Sequence, residues 1–403
     1  MNVIIVGNGV AGVTAARIIK ENYPETLVSI YTDESSYYYP RPRLYEVLSG
    51  EAEPEDVTIF SEEWYRKKGI TVQLNRKASS IDTKRKELLL DDQTRVSYDT
   101  LLLANGGHSF VPPIKGADKT GVFTLRTISD ALRIREFTEN TRKAIVIGGG
   151  LIGLEFAASL KKLGQQVTVV ELFPRLLPRQ LDPDGAALLK NRIESLGINI
   201  VLGVKTAEIL GKETVSGIML DSGKKVSGDL VLVSAGMRSN TELALEAGIK
   251  VNRGVVVDGH LRTSADDVYA IGDVAEYEGT VYGIIPAALE QASNAAANML
   301  GDEHANYTGT VPSNTLKIVG INLTSMGLVN PEEPTYEEIK RTDAPKGVYK
   351  KLVLDKGKIV GAILLGTKKG VTSIRKLIAK ETDITKYKNL ILDDDFDYKK
   401  VAA

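Results

Sequence analysis

Two glycine-rich turns supply the residue types and spacing most suited to chemistry. Gly7-Asn8-Gly9-Val10-Ala11-Gly12 directly follows the apolar run Val3-Ile4-Ile5-Val6, and Gly148-Gly149-Gly150-Leu151-Ile152-Gly153 directly follows Ala144-Ile145-Val146-Ile147. Glycines so placed permit a tight turn and let a pyrophosphate approach the backbone, where free N–H groups at the next helix start carry its charge. An acid closes the next apolar segment each time. Asp33 and Glu34 follow Leu27–Tyr31, and Glu171 ends Val167–Glu171, so each can accept hydrogen bonds from a ribose. Glycines of this kind also serve plain helix–strand packing. Strand, helix and acid in register favour the nucleotide.

Two such sites imply two dinucleotides. The pairing that makes chemical sense is a tightly held flavin with an exchangeable nicotinamide, because a flavin can both accept a hydride and release single electrons. The expected cofactors are FAD and NADH. Composition narrows the field further. The 403-residue chain has no cysteine, which removes disulfides, thiolate metal sites, iron–sulfur clusters and cysteine nucleophiles. With three histidines, no multi-histidine metal centre is expected. Basic and acidic residues number 51 and 52, so the whole chain has no bias toward nucleic acid or a membrane surface. No apolar run reaches 18 residues and Met1–Val6 already reads as a strand, so a cytoplasmic location without a leader is expected.

The elements that must position these residues alternate. Val3–Val6 reads as strand, Val10–Glu21 as helix and Leu27–Tyr31 as strand; Ala144–Ile147, Leu151–Leu163 and Val167–Glu171 repeat the pattern about 140 residues later. Short alternating strands fill Ile70–Leu103, and Val111-Pro112-Pro113 marks a boundary. An alanine-rich helix covers Ala287–Leu300. From about Ala305 the pattern turns to strands at Thr315–Val319, Lys351–Leu354 and Ile359–Leu365, with a helix near Ser373–Lys380. The fold class expected is α/β: two Rossmann-like dinucleotide-binding domains plus a small C-terminal α+β domain. The expected division is an FAD domain at 1–108 and 241–304, an NADH domain at 109–240, and a third domain at 305–403.

A third motif, Thr263-Ser264-Ala265-Asp266-Asp267-Val268-Tyr269-Ala270-Ile271-Gly272-Asp273, ends a strand in Gly-Asp. It resembles the second flavin motif of the pyridine nucleotide–disulfide oxidoreductase superfamily, and the resemblance runs over essentially the whole chain. It implies that Asp273, preceded by Gly272, holds the ribityl chain of FAD. Leu102-Leu103-Ala104-Asn105-Gly106 is similar to the superfamily's Ala-Thr-Gly strand end, with Asn105 replacing threonine. The closer match is to NADH:rubredoxin oxidoreductases and the flavin portion of NADH-dependent nitrite reductases. It rests on Tyr39-Pro40-Arg41-Pro42-Arg43-Leu44, Leu125-Arg126-Thr127, Pro174-Arg175-Leu176-Leu177-Pro178-Arg179-Gln180-Leu181-Asp182 and Leu316-Lys317-Ile318-Val319-Gly320. The resemblance implies that Arg41 and Arg126 meet the flavin's phosphate side, that Ala78 contacts adenine through its backbone, and that Ile285 lies beside the isoalloxazine. Pro42, Lys317 and Gly236 are further cofactor-binding candidates. Glu155, two residues past the second glycine motif, is the catalytic candidate near the nicotinamide; its alternative is an ordinary acid near a helix start.

Disulfide reductases of this superfamily carry Cys-x4-Cys where this chain has Pro42–Leu48, and that stretch has none. Dioxygenase-type ferredoxin reductases carry a lysine near the flavin where this chain has Glu46, which either faces the flavin or solvates a helix face. The function implied is hydride transfer from NADH to FAD and electron transfer onward to a small redox protein, first of all rubredoxin. The alternatives are an NADH oxidase forming hydrogen peroxide and a redox-switched interaction module. A partner surface is expected from 344 to 380, where Lys346, Lys350, Lys351, Lys356, Lys358, Lys368, Lys369, Arg375, Lys376 and Lys380 face one acid, Asp355. Such a surface suits an acidic carrier, rubredoxin or ferredoxin. The opposing reading has acids such as Asp393–Asp395 folding back to neutralise it.

Overall fold

Short apolar runs such as Val3-Ile4-Ile5-Val6 and Leu101-Leu102-Leu103 cannot face water on either side, and they pair as parallel strands buried on both faces. In a computed structural model the protein is described over residues 1–302, 304–311 and 313–401, the strand Ser313–Ile318 by its backbone alone. Five parallel strands run in the order Val268–Ala270, Thr100–Leu103, Asn2–Val6, Leu27–Tyr31, Ile70–Gln73. The helices Val10–Asn22 and Ile285–Met299 pack against each other through small buried residues, among them Ala15, Ala16, Ala292 and Ala295. Small side chains let two helices approach closely. These elements belong to a compact unit made of Met1–Phe110, Arg126–Arg133 and Gly236–Thr310.

The other unit comprises Val111–Leu125, Ile134–Ala235 and the chain from Val311 on. Its parallel sheet runs Asn199–Leu202, Gln166–Glu171, Lys143–Ile147, Leu230–Val233, Val122–Phe123. A five-stranded antiparallel sheet carries the C-terminal part, in the order Ser313–Ile318, Ile321–Gly327, Lys358–Leu365, Val348–Asp355, Glu337–Asp343, with the helix Val371–Ala379 packed on it. The fold class is the expected one. Both strand–helix–strand units fall within two residues of their expected limits at each end. The strand Glu337–Asp343 is new, because Glu-Glu-Ile-Lys-Arg-Thr-Asp at a sheet edge has no apolar alternation to announce it. Among the described residues no helix is long and apolar enough to cross a membrane.

Candidate functional site

The two glycine turns are built alike at the glycines they have in common. Gly7 has φ +108°, and a Cβ on it would lie 2.3 Å from the Ala104 carbonyl oxygen; Gly148 has φ +113° with the Ser234 carbonyl oxygen at 2.2 Å. A Cβ on Gly12 or Gly153 would meet the carbonyl oxygen of Gly7 or Gly148 at 2.1 Å. These outer glycines close the turn and seat the helix on the strand. Gly9 and Gly150 have nothing within 4 Å of such a Cβ, so each turn opens onto free space.

The helix starts are equally bare. Gly9 and Gly150 are N-caps without a side-chain bond, and neither first turn holds an acid. Val13 and Leu154 make the first backbone bonds back to Gly9 and Gly150, which leaves Val10, Ala11 and Gly12 in one helix, and Leu151, Ile152 and Gly153 in the other, without an intrahelical acceptor. Two other helices, by contrast, are capped by a side chain: Ser61 accepts from Trp64, and Asp182 from Gly185. Open space in front of uncapped N–H groups fits a pyrophosphate at each turn.

Around the first turn the folded chain gathers residues distant in sequence. The Gly272-Asp273 turn follows the strand Val268–Ala270, and Gly272, at φ +76°, brings a Cβ position within 3.0 Å of Ala11 Cβ. Arg126 donates from Nη2 to Asp273 Oδ2 at 3.0 Å, and its Nε is buried with no partner. Gly106 lies against that guanidinium, 3.5 Å from a Cβ position. Asn105 donates from Nδ2 to the Asn240 carbonyl at 2.9 Å, while Asn240 returns a bond to the Asn105 carbonyl at 2.7 Å. Asn105 Oδ1 stays buried and unpartnered. Buried donors and acceptors normally find partners, so Arg126 Nε and Asn105 Oδ1 beside a bare helix start fit a polar ligand such as FAD.

Glu34 does something else. Its carboxylate forms a two-pronged pair with Arg41, with Nη1 to Oε2 at 3.0 Å, and accepts the Tyr39 hydroxyl. Burial works against the Arg41 charge, but Tyr39 and Glu34 raise its pKa. Burial raises the pKa of Tyr39; the Arg41 charge opposes this and Glu34 adds to it. Asp33 is exposed. Pro42 continues the 3-10 turn Arg41–Arg43, Ala78 opens the strand Ala78–Asp82, and Ile285 is 41% exposed at an uncapped helix start.

With this geometry in view, comparison with known proteins decides the family. The family described as pyridine nucleotide-disulphide oxidoreductase matches residues 1–298, and the rubredoxin NAD+ reductase C-terminal domain matches residues 312–382. The chain belongs to the pyridine nucleotide-disulphide oxidoreductases. A Bacillus subtilis nitrite reductase is 38% identical over 95% of this chain, which spans about half, 48%, of that relative's length. The NADH-rubredoxin oxidoreductase of Clostridium acetobutylicum is 30% identical over 91% of this chain and 92% of its own. A solved ferredoxin reductase from Rhodopseudomonas palustris matches with TM-score 0.89 at 28% identity, over 100% of both chains.

The disulfide of the family's name has no counterpart in a chain without cysteine. Glu46, in the helix Leu44–Ser49, is held by Arg43, with Oε2 2.7 Å from Nη2. At the second turn Glu171 is buried and accepts from Gly149 N–H at 2.5 Å and Phe173 N–H at 2.8 Å, so its oxygens fasten the turn itself. Ile152 is 58% exposed in front of that turn. Glu155 accepts from Val319 N–H at 2.9 Å. Gly236, at φ +109°, faces open space, and its carbonyl accepts from Phe110 N–H. The Lys317 side chain lies outside the described residues.

The expected basic surface needs correction. Lys350 and Lys351 are 4% and 2% exposed. Lys350 pairs with Asp394 at 2.5 Å and Lys351 with Glu338 at 2.6 Å, because the strand Val348–Asp355 is covered on both faces. Lys346 and Lys358 are exposed but paired, with Asp343 and Glu381. Lys356, Lys368, Lys369, Arg375, Lys376 and Lys380 remain exposed.

The sequence reading passed over Tyr65, whose hydroxyl donates to Asn8 Oδ1 at 2.9 Å inside the first turn. It also passed over Gln291, which accepts the Gly272 N–H at 2.7 Å. Neither sits in a motif.

Proposed function

We propose that this chain takes a hydride from NADH onto FAD and passes the electrons singly to a small redox protein, with rubredoxin the first candidate. The reading rests above all on two open, uncapped glycine turns in one chain, the first of them beside the Arg126–Asp273 pair. In this reading FAD binds at Gly7–Gly12 with Asp33, Asn105, Arg126, Gly272, Asp273 and Ile285 around it, and NADH binds at Gly148–Gly153. FAD, when bound, supplies an acceptor for hydride and a donor of single electrons. The protein's task is binding and orientation. The bare helix starts carry the two pyrophosphates, and Asp273 offers an acceptor to the ribityl hydroxyls while its charge is balanced by Arg126. Glu171 sets the second turn by fixing Gly149 and Phe173, and a carboxylate there repels the extra phosphate of NADPH.

The proposed domain roles are 1–108 and 241–304 for FAD, 109–240 for NADH apart from the stretch 126–133, which lies in the first unit, and 305–403 for the partner. The similarity of 312–382 to a rubredoxin reductase C-terminal domain supports the last of these. We place the protein in the cytoplasm. An acceptor screen tests the reading. NADH turnover under argon should be fast with rubredoxin or a ferredoxin and slow with air as sole oxidant. Faster turnover in air than with any carrier would make the protein an NADH oxidase instead.

A further inference from the structure

The stretch Arg126–Arg133 lies in the same compact unit as the first glycine turn, although the sequence on either side of it belongs to the other unit. Something must fix its backbone there. Asp130 Oδ2 accepts from Arg126 N–H at 3.1 Å and Thr127 N–H at 3.0 Å, bonds internal to the stretch. Two further bonds come from outside it. Arg41 Nη1 donates to the Arg126 carbonyl at 2.8 Å, and the Ile128 N–H donates to the Tyr39 hydroxyl at 3.3 Å. Glu34 holds both outside partners, the donor Arg41 and the acceptor Tyr39: it pairs with Arg41 and accepts the Tyr39 hydroxyl proton.

We propose that Glu34 is a positioning residue: through Arg41 and Tyr39 it pins Arg126–Ile128 and so presents Arg126 beside Asp273. The inference rests on the flavin reading of this site and assigns different work to two adjacent acids. Asp33 is exposed and free to meet a ribose. Both Glu34 oxygens are engaged in a half-buried strut of fixed geometry, which a guanidinium fork and a carboxylate form well. Groups joined in one network lose binding together rather than independently, whereas separate contacts to one ligand lose it in proportion.

The test is a double-mutant cycle on FAD binding, read by titrating FAD into flavin-stripped protein and following its fluorescence. Glu34→Ala and Arg126→Ala are each expected to weaken FAD about tenfold, and the double variant to be scarcely weaker than the worse single one. Asp33→Ala combined with Arg126→Ala should instead multiply. Glu34→Gln, which keeps an acceptor of the same length, should fall between wild type and Glu34→Ala. Wild-type affinity in Glu34→Ala, or full multiplication with Arg126→Ala, overturns the strut. If Glu34→Ala does not fold, Tyr39→Phe replaces it in the same cycle, with the same expected non-additivity and the same overturning result. Absence of FAD binding in the wild-type protein would bring down the flavin reading instead.

Discussion

Replacing Asp273 by Ala removes the partner of Arg126 and the acceptor assigned to the flavin's ribityl chain. A lost charged hydrogen bond costs about 1.5–3 kcal/mol, so FAD occupancy after dialysis should fall clearly, as the ratio of flavin to protein absorbance will show. Asp182 makes a different case. It is buried, caps the helix Pro183–Ser195, accepts the Tyr349 hydroxyl at 2.5 Å and lies 3.4 Å from Lys351 Nζ. Burial alone would raise its pKa, but the Tyr349 and Gly185 bonds and Lys351 outweigh this and hold it below the ordinary carboxylate value. A depressed folded pKa gives stability that is present above the unfolded value near pH 3.9 and lost as pH falls through the lower, folded one. Asp182→Asn should therefore flatten the acid limb of the stability profile. Asp182→Ala removes the helix cap, the acceptor of the Tyr349 hydroxyl and one of the two carboxylates beside the buried Lys351, and should lower stability clearly in urea melts. The sequence could not show this cluster. Lys350-Lys351 read as solvated charge because nothing local says that their strand is covered on both faces. Likewise Arg126 and Asp273 are separated by 147 residues, and no spacing rule joins them.

Elements were more legible than pairs. The glycine turns announce themselves because strand, turn, helix and acid are contiguous, and the physics of the turn is local. The three glycines of each turn have separable jobs, which substitutions should expose. Gly12→Ala forces a methyl to 2.1 Å from the Gly7 carbonyl oxygen and should unfold or loosen the first unit. Gly9→Ala has room for its methyl and an extended backbone at φ −79°, so the protein should keep its circular dichroism and lose FAD. Gly150→Ala should stay yellow and show a raised KM for NADH. A Gly9→Ala protein that retains FAD would show that no phosphate lies in front of that turn.

At the scale of the whole molecule, net charge is close to zero while exposed lysines cluster near the C-terminus. With Lys350 and Lys351 buried, the residues to reverse are Lys368, Lys369 and Lys376. Their change to Glu should slow the reaction with an acidic carrier and leave flavin reduction by NADH intact; rising salt should do the same, since exposed charges are screened beyond about 10 Å at 0.1 M. A carrier reaction indifferent to both would make these lysines ordinary surface.

The most direct test of the central claim is an anaerobic titration of the purified, FAD-loaded protein with NADH, followed in the visible flavin band. With no cysteine in the chain, there is no disulfide to store a second electron pair. Bleaching should be complete at one NADH per flavin, and adding oxidised rubredoxin should restore the band. A band that does not bleach, or that needs two equivalents, would contradict the account.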